Sequence, residues 1–260
     1  MRALERDYTV EVVSRALRVV EALAQANDGL GAGELARALG LPRSTVFRLL
    51  YTLEKHGYVH QDPNSKKYSL PLKLFELGNA VFRSTDVCVV ARPVLHALWE
   101  RFQETVNMAV LHDDCVLYVE RFESPRSLRA SHTIGGRGHV HSTAVGKAML
   151  AFLSDAHTAA LIGKRTLPAF TSKTITDPRE LQRELELIRQ RGYALDDEES
   201  TEGVCCLGAP VFDRSGCVVA AVSVSGPLQR LKDSAKREEV GHALVQAAHE
   251  VSRRMGYVGA

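Results

Sequence analysis

From Glu34 to Val59 apolar residues recur at helical spacing on both sides of a break at Leu39-Gly40-Leu41. The stretch ELARALGLPRSTVFRLLYTLEKHGYV therefore predicts two helices joined by a tight turn. In the second, Val46, Leu49, Leu50 and Leu53 fall at i, i+3, i+4 and i+7, one buried stripe. Arg43, Ser44, Phe47, Arg48, Tyr51 and Lys55 are left facing outward. Pro42 suits the first turn of that helix, because the N–H it lacks would have no intrahelical partner there. Gly40 supplies the bend, and Gly57 the C-terminal stop. A helix-turn-helix of this kind offers its outer residues to a DNA major groove.

Upstream, Val13, Leu17, Val20 and Leu23 predict a first helix over 12–25, ending at Asn27-Asp28-Gly29. Downstream, two short β-like runs at 58–61 and 67–70 flank the turn cluster Asp62-Pro63-Asn64-Ser65, which predicts a hairpin, the wing of a winged helix. Leu72, Phe75, Leu77 and Val81 then predict an amphipathic linker helix, with a domain boundary near residue 84. Beyond it the period changes to two: strands at 106–111, 116–121, 204–212 and 218–224 alternate with helices at 87–102, 144–152, 155–162, 177–191 and 235–255. That order predicts an α+β domain on an antiparallel sheet. The expected organisation is a winged helix-turn-helix at 1–70, a linker helix at 71–84 and a second domain at 85–260.

Composition changes this picture little. Hydrophobic residues make up 45% and charged residues 25% of the 260 positions, ordinary for a globular protein of one or two domains, and the net charge of +2 makes no case for nucleic acid by itself. Locally, Arg43, Arg48, Lys55, Lys66 and Lys67 stand against only Glu54 and Asp62, a modest footprint for phosphate. The N-terminus has no continuous apolar core followed by small residues, and no stretch reaches the ~18 apolar residues of a membrane span, so a cytoplasmic protein is expected. Five cysteines, an odd number, fit a reducing compartment better than a disulfide framework.

Three segments of the second domain could hold chemistry. HVHSTAVGKA, 139–148, lacks a P-loop's first glycine, since His141 stands there, and Ala148 follows Lys147 where Ser or Thr is needed. Two readings stay open: amides of Ala144, Val145 and Gly146 at a helix start accepting a small anion, or an ordinary capped helix. In GYALDDEE, 192–199, four consecutive acids suggest a solvated loop, yet Asp196 follows an apolar run and is the acid expected to point inward. Cys205 and Cys206 alternate sides of a strand, so one at most faces a pocket, either as packing or as nucleophile. Ser223 and Ser225 share one face of an otherwise apolar strand, lining a cavity or facing solvent. His139 and His141, two apart without a further clustered ligand, make no zinc site. Neither a metal nor a cofactor is expected.

Taken in order, GLPRSTVFRLLYTLEKHGYV closing on KKYSL, then LFELGNAV, HSTAVGKAMLA, LPAFTSKTITD, RGYALDDEESTEGVCCLGAPVFD and VVAAVSVSGP, resemble the IclR-type bacterial transcriptional regulators over nearly the whole chain, residues 12–255. The resemblance implies a GAF-like effector domain that binds a small carboxylate, with no enzymatic activity. It implies effector contacts at Ala144, Val145, Asp196, Cys206, Ser223 and Ser225, with apolar residues of 127–140 completing the wall. It further implies a homodimer or homotetramer that places two recognition helices on palindromic double-stranded operator DNA. There Arg43, Ser44, Thr45 and Arg48 meet bases or phosphates, and Lys66 and Lys67 of the wing hold the backbone. The function expected is repression, rather than activation, of a catabolic operon. Two competitors are a GAF-type redox enzyme using Cys206 on a small thioether oxide, and a winged helix that binds protein instead of DNA.

Overall fold

The computed structural model describes residues 8–26, 28–77, 86–130, 133–162 and 167–259. The chain divides into two compact units, Met1–Ser84 and Thr85–Ala260. In the first, α1 (Glu11–Ala24), α2 (Ala32–Leu39) and α3 (Arg43–Lys55) close around Val19, Leu23, Leu35, Val46, Leu49 and Leu50. Glu34 reaches back to accept the Gly31 amide at 2.7 Å and starts α2. Gly40, at φ +65°, turns the chain into α3 as expected.

Helix α1 forms where expected, while the entry to α3 and the wing differ in detail. The buried residues of α1 are Val19 and Leu23, in its second half, whereas Val13 and Leu17 are 53% and 58% exposed. Helical spacing alone could not tell which apolar stripe the short α2–α3 pair would cover. Pro42 lies one residue outside α3: its ψ of 140° is extended, and its carbonyl accepts the Thr45 and Val46 amides. The wing forms from β1 (His60–Gln61) and β2 (Tyr68–Ser69), shorter than expected. The Asp62 carboxylate gathers the Asn64 and Ser65 amides and the Ser65 hydroxyl, turning the chain early. Of the expected linker helix, residues 72–77 are helical, and 78–84 lie outside the described residues.

The second unit is built on a six-stranded antiparallel sheet ordered β5-β4-β3-β8-β7-β6. Its strands are β3 (Thr105–His112), β4 (Cys115–Phe122), β5 (Arg137–His139), β6 (Ala194–Asp197), β7 (Val204–Phe212) and β8 (Val218–Pro227). One face carries Ala109, Val116, Tyr118, Ala194 and Ala221 and packs beneath α5 (Ala144–Leu150), α6 (Asp155–Ile162) and α7 (Pro178–Arg191). The other carries Val106, Met108, Leu207, Val222 and Val224 and is covered by α4 (Asp86–Phe102) and α8 (Ser234–Arg254). The α+β class is as expected. Strands β5 and β6 carry no sequence pattern that announces them: β5 is a three-residue edge strand centred on a glycine, and β6 is hidden in the acidic run. No helix among the described residues is long and apolar enough to cross a membrane.

Candidate functional sites

In the first unit Arg43, Ser44, Phe47 and Arg48 line an open groove with Ala32 and Gly33 at the start of α2. Phe47 and Tyr51 stand 60% and 63% exposed on the same helix, and Thr45 is half-buried. With the inner stripe spent on Val46, Leu49 and Leu50, these side chains have only solvent, or a docked surface, to meet. In the wing Lys66 is exposed and sits at φ +58°, and Lys67 is half-buried beside the β2 pairing. The geometry suits a helix laid in a groove with a basic wing on the flanking backbone.

In the second unit the strand register gathers the expected residues. Asp196, Cys206, Ser225 and Thr105 form one row across β6, β7, β8 and β3; Ala194, Gly208, Ser223 and Asn107 form the next. Register partners in an antiparallel sheet point to the same side, so both rows share the face covered by α5. Gly208 explains how closely α5 approaches: a Cβ there would stand 2.8 Å from the Ala144 carbonyl carbon and 3.0 Å from the Val145 nitrogen. The start of α5 thus rests on the two rows, and Ala144, Val145, Asp196, Cys206, Ser223 and Ser225 converge. All six are buried. The Gly146 amide, also expected to face an anion, is instead taken by Thr143 Oγ1 at 3.2 Å, the N-cap bond of α5.

Asp196 points inward as expected and holds its own turn. Its carboxylate accepts the Glu199 amide at 2.7 Å, the Ser200 amide at 3.2 Å and the Ser200 hydroxyl at 2.5 Å. Burial raises its pKa above the usual carboxylate range despite those donors. Two neighbours had no sequence signal. Lys147 is completely buried; its Nζ donates to the Leu195 carbonyl at 2.6 Å and to Glu199 Oε1. Burial outweighs that ammonium at Glu199, whose pKa is pushed up to about 7. Lys147 thereby ties α5 to the 196–200 turn.

Both units match families. The description "IclR helix-turn-helix domain" fits residues 12–63, and "Bacterial transcriptional regulator IclR C-terminal" fits residues 79–253. The chain belongs to the IclR family of bacterial transcriptional regulators. The regulator KdgR of Dickeya chrysanthemi is 36% identical over 249 residues, covering 96% of this chain and 81% of the relative. The transcriptional repressor IclR of Escherichia coli is 35% identical, covering 95% and 90%. The crystal structure of Thermotoga maritima IclR superposes with a TM-score of 0.82 at 31% identity, covering 96% of this chain and all of that one. As an IclR-family protein the chain is a DNA-binding transcriptional regulator and not an enzyme, which removes both competitors.

The chemistry of Cys206 agrees with that outcome. Burial, with Asp196 nearby, holds its thiol well above the ordinary value, so it stays protonated and a poor nucleophile. Cys205 pairs with Gly226 and faces the opposite side of the sheet, so it cannot resolve a bond formed at Cys206. Cys206 remains a small buried side chain in the row between Asp196 and Ser225.

Proposed function

We propose that the protein is a cytoplasmic repressor of a catabolic operon, released or held by a small carboxylate seated between α5 and the two polar rows of the sheet. A homodimer, or a homotetramer made of two, presents a pair of α3 helices to successive major grooves of a palindromic operator. Arg43, Ser44, Thr45 and Arg48 contact bases and phosphates, and Lys66 and Lys67 grip the backbone. Residues 1–70 form the reading domain, 71–84 the linker, and 85–260 the GAF-like effector domain. Repression is supported by the relative in Escherichia coli, which bears the name of a repressor.

One observation carries the effector reading: four buried side chains on one sheet face, Asp196, Cys206, Ser223 and Ser225, lie beneath the helix start at Ala144 and Val145. A core with no ligand to receive would be filled by apolar side chains there. The Ala144 and Val145 amides and the Ser223 and Ser225 hydroxyls donate to the carboxylate. Asp196, with its raised pKa, meets the anion protonated or accepts from a ligand hydroxyl, avoiding two facing carboxylates. The acid regulates only if the DNA-competent and DNA-incompetent arrangements bind it with different affinity.

The test is a footprint of the purified protein on intergenic DNA beside its own gene, across salt and with a panel of small carboxylates. A protected palindrome whose occupancy changes with one acid is the expected result. Protection that no acid alters would remove the effector, and protection at no salt would remove the operator.

A further inference from the structure

Asn107 on β3 is completely buried and stands opposite Ser223 in the register, on the face that carries both serines. Its Nδ2 donates to Ser223 Oγ at 3.4 Å and to Ser225 Oγ at 3.3 Å, which uses both amide hydrogens. Its Oδ1 is buried and meets no donor among the described residues. So is the hydroxyl of Ser142, immediately before the Thr143 cap of α5. Buried amide carbonyls are rarely left unpaired in native cores, and one in a ligand site is a place kept for a ligand's donor.

The hydrogen-bond inventory says which donor. Because Asn107 donates to both serine oxygens, neither serine proton is spent on Asn107: that of Ser223 can turn to an anion, and that of Ser225 exchanges its contact with Cys206 for one. The cluster therefore presents two hydroxyl donors beside one carbonyl acceptor. A bare carboxylate satisfies the donors and leaves Oδ1 unpaired; a 2-keto group would set acceptor against acceptor. A hydroxyl on the carbon next to the carboxylate completes the set. We propose that Asn107 is the specificity-determining residue of the effector site, accepting a hydrogen bond from a 2-hydroxyl of the acid. This rests on the effector reading above.

Direct binding of lactate, pyruvate and propionate, and of mandelate, phenylglyoxylate and phenylacetate, to the full-length protein tests it by calorimetry at two ligand sizes. At the size that fits, the hydroxy acid is expected to bind at least about tenfold more tightly than its keto and deoxy counterparts, because those leave Oδ1 unpaired. Asn107→Leu should bring the three to within about threefold of one another, mainly by weakening the hydroxy acid. Asn107→Ser, smaller and polar, is the second variant should the first fail to fold, and it should lose the preference likewise. Equal affinities in the wild type, a preference for the keto acid, or a preference that survives the substitution would each overturn the proposal while leaving the effector site in place. Failure of all six acids to bind would overturn the effector reading and this inference with it.

Discussion

The two units treat their polar residues in opposite ways. On α3 and the wing, Arg43, Ser44, Arg48 and Lys66 stand in solvent around a small apolar core, and none of that core's packing depends on them. In the second unit, Asn107, Lys147, Asp196, Glu199, Ser223 and Ser225 are inside, held by one another and by nearby backbone. The first arrangement suits a partner that is itself a highly charged polymer, met at the surface and weakened by salt. The second suits a small molecule that must be stripped of water before it is recognised. Substitutions should accordingly cost binding alone in the first unit, and both stability and binding in the second.

The sharpest contrast should come from Lys147→Met. Removing one partner of a buried pair leaves Glu199 uncompensated, so at about pH 8, where Glu199 is ionised, urea unfolding of the second unit is expected to lose about 3–5 kcal/mol. Adding Glu199→Leu should restore most of it, because the desolvation cost disappears with the pair. A single variant as stable as wild type would show that the pair does not hold α5 to the 196–200 turn. Next in size is Arg43→Ala with Arg48→Ala. We expect a loss of about 2–4 kcal/mol in operator affinity and a salt slope shallower by about one for each phosphate contact removed, with thermal stability within about 0.5 kcal/mol of wild type. An unchanged affinity would place the DNA surface elsewhere than α3.

A smaller effect follows pH. Burial pushes the Glu199 pKa up to about 7 in the folded state from the ordinary 4.5, so the folded state keeps a proton that the unfolded chain has lost in that window. This contribution to stability is fully present below about pH 4.5 and is lost as pH rises through about 7; Asp196, raised in the same direction, adds to it from a lower starting point. Glu199→Gln should flatten the slope of unfolding free energy between those values. A slope unaltered by the substitution would assign it to other groups.

The same contrast governs how much the sequence discloses. Outward residues of α3 can be read directly, since helical spacing fixes what lies opposite Val46, Leu49 and Leu50. Ser223 and Ser225 can be read as a pair from the two-residue period of a strand, but the side they face depends on what lies over it. That depends on the approach of α5 to Gly208, sixty residues distant in the chain, and no local pattern encodes it. Strand β6 hides because its alternation of buried Ala194 and Asp196 puts an acid where an apolar residue would announce the strand. Lys147 looks like any helix lysine; only the fold supplies Leu195 and Glu199. Asn107, flanked by Val106 and Met108, reads as an ordinary polar interruption of a strand until the serines arrive beside it. Buried polar groups are the least legible part of the chain because their partners come from distant segments.

On the proposed function, the buried rows of the second unit receive the acid that governs what the first unit does with DNA. Operator-binding isotherms of the wild type and of Ser223→Ala with Ser225→Ala, each with and without the acid selected by footprinting, test it most directly. Both proteins should bind the operator equally without acid, while the doubly substituted protein should need about tenfold or more acid for the same response. A full response at the wild-type concentration would contradict it.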